Sequence, residues 1–472
     1  MLPRPTTALF FCIILFFNAE VACAQTASDP IISRQLQQIL DSEFDAQAAT
    51  GKSFAIVFPD ESIWTGVAGM SNAAAQDPIR PDHNFGFASI TKTFAAAAIL
   101  KLVEKGSVNL DDPISRWISP ITFVNSAITV RQLLGHTSGI YNYTNFPNLL
   151  QTLLADTSHV YTPLEILSTF LGPPVFFAGT GASYSNSNYI MLSMIIEAAT
   201  GKVTGQFLKE ELFEPAGLSN TVFPAYESPK GELAIPWFDY TGDGNADNYS
   251  GFFESTSVMT TRGTAGSIVS TAADIAKWGA ALYGGDILSP ESLSQMLTFH
   301  NLSGQNATWT GYGLGTQQYN FGGTEAWGHS GLVTGETSLL VYSPALDVSI
   351  AMVDNNARSN HFSSANALFS YLNSITFTAV ENESVPSNIG LTVFPNPVGG
   401  SEKITFQIAA QSGIEMKLSI FDIRGRRVFS SNGIRGSSLE WDPGVPLPAG
   451  VYFYKLMSGN GNVVSGSVIR TR

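Results

Sequence analysis

Apolar residues fall in two rhythms along this chain, and the change from one to the other divides it. Ile32, Leu36, Ile39, Leu40 and Phe44 repeat at helical spacing behind Ser28-Asp29-Pro30, a helix start with proline in its first turn. Ser53 to Phe58 and Ile63 to Val67 read as two strands joined by the polar turn Asp60-Glu61. The run from Phe94 to Leu102 is almost wholly apolar, which predicts a buried helix, and Gly106 is its stop. Further helices are expected over Thr129 to Gly135, from Thr162-Pro163 to Leu171, from Met191 to Ala199, and from the cap Ser270-Thr271 to Leu282. Past Gly311 the pattern alternates; Ser338 to Tyr342 and Val348 to Val353 read as strands, and Ala365 to Leu372 as a last helix. Helices mixed with strands close in sequence give an α+β domain with a mainly antiparallel sheet. Residues 379–389 are polar and read as a linker. Beyond them Ile404-Phe406-Ile408, Leu418-Ile420 and Val451-Phe453 alternate with turns between, so 390–472 is expected to be a small β-sandwich.

Composition sharpens this. A chain of 472 residues suits two or three domains, and 44% hydrophobic against 13% charged residues builds a large core. A net charge of −14 argues against nucleic acid as a partner. Residues 1–24 have the form of a secretory signal: Arg4, an apolar core from Ala8 to Phe17, and Ala22-Cys23-Ala24 as the cleavage site. Its apolar run is too short to span a bilayer. Glu20 stands where a lipidation signal needs an aliphatic residue, which argues against an acylated Cys23. The two cysteines, Cys12 and Cys23, both lie in this segment, so the mature domain at 25–378 is expected to use no disulfide, thiol nucleophile or cysteine-bound metal.

Three short motifs carry candidate chemistry. Ser89 and Lys92 stand one turn apart at the expected start of the buried helix. A serine hydroxyl needs something to take its proton, and a desolvated lysine can do so. Tyr184-Ser185-Asn186 precedes another buried helix. Tyr184 can share the Ser89 proton and pass it to a leaving group, and Asn186 can hold a substrate amide. His329-Ser330-Gly331 suits a strand lying beside a substrate: Gly331 lets backbones approach, Ser330 can bond a carboxylate or carbonyl, and the N–H groups of Ser89 and Leu332 would form an oxyanion hole. Tyr143-Thr144-Asn145 also fits Tyr-x-Asn but lies in a polar loop. His136, between glycines, reads as a residue that fixes a loop by hydrogen bonding. Asp243, Asn245, Asp247 and Glu254 have the spacing of a calcium loop, with Asn248 where glycine is wanted, and a polar surface loop explains them equally well.

Ser-x-x-Lys, Tyr-Ser-Asn and His-Ser-Gly in this order resemble the serine hydrolases of the class C β-lactamase superfamily. That group includes D-alanyl-D-alanine carboxypeptidases, penicillin-binding proteins and esterases. The resemblance runs from about Ile32 to Ser374. It implies a β-lactamase-like sandwich, its antiparallel sheet flanked by helices and joined to an all-helical region. Ser89 would head the buried helix, and catalysis would pass through an acyl-enzyme with no cofactor. One departure stands out: no lysine or arginine lies between Lys277 and Arg358 to read a peptide carboxylate, so Arg262 or the polar residues of the His329 strand would have to substitute. Esters, lactams and peptides are all open as acyl substrates, and a non-catalytic binding module on the same fold is the rival. Phe394-Pro395-Asn396-Pro397, Leu418 to Gly425, Leu447 to Tyr452 and the basic end Ile469 to Arg472 resemble the sorting domains of type IX secretion. That implies outer-membrane secretion machinery as a partner and a protein secreted, or held at the cell surface, by way of the periplasm.

Overall fold

The computed structural model describes residues 26–42, 44, 51–72, 76–238, 247–248, 255–302, 308–333, 335–357 and 361–375, and in the C-terminal part 390–396, 403–409, 415–421, 427–434, 437–441, 450–458 and 463–470. The expected signal and linker lie outside these residues. So do Asp243, Asn245 and Glu254 of the calcium-like loop, and of Asp247 only the backbone is described.

The chain opens with helix α1 (Pro30–Ser42) and strands β1 (Gly51–Val57), β2 (Ile63–Asn72) and β3 (Asp77–Pro78). Short two-residue strands β4 (Phe85–Gly86), β5 (Trp237–Phe238), β6 (Asp247–Asn248) and β7 (Val269–Ser270) tie loops together. The sheet is completed by β8 (Trp309–Tyr312), β9 (Gln317–Phe321), β10 (Thr324–Val333), β11 (Glu336–Ser343) and β12 (Val348–Asp354). These give an antiparallel sheet of eight strands in the order β3-β2-β1-β12-β11-β10-β9-β8.

Both faces of this sheet are covered, which is why its central strands read as continuous apolar runs rather than alternating ones. In β1, Phe54 and Ile56 enter a core under α1 and the last helix of the domain, while Ala55 and Val57 enter the larger core on the other face. In β12, Ile350 and Met352 against Ala351 and Val353 divide in the same way. The larger core belongs to the helices between the two halves of the sheet: α2 (Thr91–Glu104), α3 (Val130–Leu134), α4 (Leu149–Ala155), α5 (Pro163–Thr169), α6 (Asn186–Thr200), α7 (Thr204–Leu208), α8 (Thr256–Gly266), α9 (Ala272–Tyr283) and α10 (Pro290–Met296). The last helix is α11 (His361–Ser374). The local signals work as expected: Thr129 and Thr162 form capping boxes with Gln132 and Glu165, and Gly201 closes α6 with φ +69°. Helix α2 runs through the middle, with Phe94 stacked at 4.0 Å on Trp278 of α9, and Trp278 Nε1 donates to Thr93 Oγ1 at 2.8 Å.

The fold is therefore the expected sandwich, with two differences near the site. Ser89 does not start the α-helix; it sits in a single 3₁₀ turn, Ala88–Ile90, ahead of α2. Ala88 adopts φ +48°, a left-handed conformation that ends any helical path just before Ser89, and the turn then runs through right-handed Ile90 and Thr91 into α2. Helix α6 starts earlier than its apolar run, at Asn186, because the polar first turn is held by neighbouring loops rather than by the core.

The C-terminal part is all strand: β13 (Gly390–Phe394), β14 (Ile404–Ala409), β15 (Met416–Phe421), β16 (Arg427–Ile434), β17 (Ser438–Trp441), β18 (Gly450–Ser458) and β19 (Val463–Arg470). Sheets β13-β14-β17 and β16-β15-β18-β19 close on a core that includes Phe406, Leu418, Ile420, Trp441 and Leu456.

Candidate active site

Four side chains from two separate stretches, and a backbone carbonyl from a third, meet beside the 3₁₀ turn. Lys92, fully buried on the first turn of α2, places Nζ 3.0 Å from Ser89 Oγ, 2.8 Å from Asn186 Oδ1 and 2.5 Å from the Ala265 carbonyl oxygen. Tyr184 stands beside the same amine, its ring centroid 4.9 Å from Nζ. Burial lowers the Lys92 pKa well below its ordinary range, which favours the neutral amine over the ammonium. A neutral amine has two hydrogens and one lone pair. The oxygens of Asn186 and Ala265 can only accept, so they take the hydrogens, and the lone pair is left facing the Ser89 hydroxyl.

Burial also raises the Tyr184 pKa, though the Ser89 side chain works against it, so this residue is a phenol and not a phenolate. Its O–H is a proton donor in waiting. Asn186 is fixed from both sides, since its Nδ2 donates to Thr144 Oγ1 at 3.2 Å and its backbone N–H to Asn142 Oδ1 at 3.0 Å. Tyr143, the other Tyr-x-Asn tyrosine, donates to the Thr261 carbonyl at 2.9 Å instead of reaching Ser89. The Ala265 carbonyl is available because α8 ends at Gly266, one short turn past the break at Gly263, whose φ is +45° and ψ −141°.

Strand β10 supplies the opposite wall. Gly331 passes so close that a Cβ there would lie 2.5 Å from the Phe87 carbonyl and 3.1 Å from Ala88 Cβ. Among the described residues, the pairing of β10 with β9 stops at Gly328. The Ser330 N–H points off that side, to Gln317 Oε1 at 2.7 Å, so the Leu332 N–H two residues on points the same way, along the edge beside Ser89. Ser330 departs from its expected role. Its hydroxyl lies 3.1 Å from Gln317 Oε1, on the face opposite His329, because successive side chains of a strand alternate. The structure does not bring it to Ser89.

His329 and His136 join through Tyr312. His329 Nδ1 lies 2.6 Å from the Ser330 carbonyl and so carries the hydrogen; Nε2 then accepts from Tyr312 O–H at 3.1 Å. Tyr312 Oη accepts in turn from His136 Nε2–H at 3.1 Å. His136 Nδ1 faces donors from Ser185 N–H and Asn188 Nδ2, each at 3.2 Å. Both rings are thereby neutral. Burial pushes His329 down to about 3 and His136 well below its usual value. His136 fixes the Tyr184 loop, as its setting between glycines suggested. Tyr312, Gln317, Thr144 and the Ala265 carbonyl were not readable in advance, since nothing in their local sequence marks them; the glycine within α8 was the one available sign.

Among the described residues Asp77, His83 and Glu232 come together as a possible metal cluster. Their chemistry does not fit one. Arg80 N–H donates to His83 Nδ1 at 2.8 Å, which leaves the proton on Nε2, and the Arg80 guanidinium binds Asp77 and Glu232.

A model described as Beta-lactamase matches residues 36–370. The chain belongs to the beta-lactamase family. A second model, described as a secretion system C-terminal sorting domain, matches residues 392–470, which makes this family member a secreted or cell-surface protein. Among curated relatives, a penicillin-binding protein of Bacillus subtilis (strain 168) is 30% identical over 48% of this chain and 50% of its own length. A D-aminopeptidase of Brucella anthropi is 25% identical over 60% of this chain and 52% of its own. The chain thus spans about half the length of these two relatives. Of solved structures, the D-amino acid amidase of Ochrobactrum anthropi SV3 complexed with D-phenylalanine superposes with a TM-score of 0.64 at 26% identity, covering 72% of this chain and 99% of that one. A D-stereospecific amidohydrolase from Streptomyces gives 0.62 at 27% identity, covering 71% and 98%.

Proposed function

We propose that this protein is a secreted serine hydrolase that cleaves amide and ester bonds through an acyl-enzyme. The observation that carries the reading is the buried Lys92 Nζ 3.0 Å from the Ser89 hydroxyl, with its other two near oxygens on Asn186 and Ala265. Ser89 Oγ forms a bond to the substrate carbonyl carbon while its proton passes to Lys92 Nζ. The oxyanion sits between the N–H groups of Ser89 and Leu332. The bond to the leaving group breaks as Tyr184 gives that group its proton, and Lys92 returns one to Tyr184. Water then adds to the acyl-Ser89 carbonyl by the reverse relay and frees the acid. The named activities of the relatives, a D-aminopeptidase and D-stereospecific amidases among them, favour amides and peptides of D-amino acids as first substrates to try. The sorting domain would hand the folded enzyme to the outer-membrane secretion machinery after passage through the periplasm.

The test is a panel of a D-amino acid amide, a D-alanyl dipeptide, a short ester and a cephalosporin, with wild type and Ser89→Ala. Turnover of one or more by the wild type alone, with an acyl or fluorophosphonate adduct on Ser89 by mass spectrometry, is the expected result. No turnover and no adduct would leave a binding module.

A further inference from the structure

The two sides of the Ser89 hydroxyl offer a substrate very different surroundings. On one side lies a cavity of about 500 Å³ walled by Phe146, Leu149, Leu153 and Val258, with Arg262 among its lining residues. Leu332 and Val333 also line it while His329 and Ser330 do not, so it opens toward the hairpin end of β10. On the other side stand Tyr184 and His329, with ring centroids 6.1 Å apart, backed by Tyr312. Tyr184 is the proton donor for the leaving group, so the leaving group departs on its side and the acyl half of the substrate fills the cavity.

The charges follow the same division. The leaving-group wall is neutral, since His329 and His136 each hold one proton in a fixed direction. Strands β8 to β12 carry no lysine or arginine at all. The acyl side has Arg262, half-buried where α8 breaks at Gly263, near Glu336 and Tyr143. An arginine in a cavity walled by Phe146, Leu149, Leu153 and Val258, beside the polar Thr144, Asn148, Gln151 and Thr261, suits a group with apolar surface along its length and an anionic end.

Resting on the serine hydrolase reading, we propose that selectivity lies in the acyl half: the enzyme takes acyl groups with an apolar body and an anionic far end, and releases small, uncharged leaving groups. Glu336 lies near the Arg262 charge; its carboxyl is buried, accepts the Gly86 N–H at 2.9 Å, and is pushed up to about 7 by that burial.

The experiment uses the full chain and two sets of nitrophenyl esters and amides. One set keeps nitrophenol and varies the acid: acetyl, hexanoyl, and adipoyl with its free carboxylate. The other keeps hexanoyl and compares a plain amide with a glycinate leaving group. The adipoyl ester should exceed the hexanoyl ester in kcat/KM by about tenfold, the effect of one charge-assisted hydrogen bond. That ratio should fall toward one in Arg262→Met and below one in Arg262→Glu; being taken within each variant, it survives any general loss of activity. The glycinate should give no gain. A glycinate preferred over the plain amide, or an adipoyl-to-hexanoyl ratio that Arg262 variants leave untouched, overturns the proposal. Acetyl ester turnover that depends on Ser89 reports the hydrolase chemistry separately, and its absence would remove both readings.

Discussion

Gly331 on β10 and the carbonyl of Phe87, two residues before the Ser89 hydroxyl, are packed so closely that one added methyl would come within 2.5 Å of that oxygen. The same methyl would meet Ser338 Oγ at 2.2 Å, and that hydroxyl itself donates to Phe87 at 3.0 Å. The wall of the site is held against the Ser89 turn by contacts that tolerate nothing larger than hydrogen.

Gly331→Ala should therefore push β10 off the Ser89 turn and misplace the Leu332 N–H. Turnover is expected to fall by about 10²-fold while KM moves less, since a shift of an ångström at an oxyanion site has that effect. Steady-state kinetics on the best panel substrate, with circular dichroism to show an intact fold, checks this.

Ser330→Ala should do little, although the residue lies between two that border the site. Its hydroxyl bonds Gln317 on the far face of the strand. Stability should drop by about 1 kcal/mol and turnover change by less than about threefold. A large loss of kcat would mean that Ser330 turns toward the substrate.

Burial lowers the Lys92 pKa and so favours the neutral amine, and protonation removes the lone pair that would take the Ser89 proton. Activity should be full above its lowered pKa and decline as pH falls through it, giving a single acidic limb in kcat/KM. Lys92→Met should cost about 10³-fold, within the range of general-base removal. An acidic limb that persists in the residual activity of this variant would assign it to another group.

Glu336 binds its proton more tightly folded than unfolded, because burial pushes its carboxyl up to about 7. The folded chain thus holds more protons than the unfolded one between the ordinary glutamate range and about 7. Stability from this group is largest at the acid end of that window and is lost as pH rises through it, by about 3 kcal/mol in all. Glu336→Gln should flatten the change in melting temperature across pH 5 to 7. It should also abolish any decline, above pH 7, in the preference for anionic acyl groups.

Periodicity and punctuation were enough to place most elements. The caps at Thr129, Thr162 and Thr271, the stop at Gly201 and the two-sided apolar strands β1 and β12 act through neighbours a few residues away. Ser89 and Lys92 were legible for the same reason, since one turn of chain sets their spacing. The 3₁₀ turn was not: a left-handed alanine is forced by Ser338 and Gly331 packing on Phe87 and Ala88, and those contacts arrive from more than two hundred residues away.

The sequence alone determined the two-part organisation, the α+β class and the residue types able to take and give a proton. Only the tertiary structure decided which of them meet. It turned Ser330 away, brought in the Ala265 carbonyl through the break in α8, joined two histidines through Tyr312, and set Arg262 beside one half of the cleft alone. The physical reason is range. Helix and strand signals are read along the backbone, whereas proton affinity and substrate selection depend on burial and on the directions of hydrogen bonds between residues that only packing brings together.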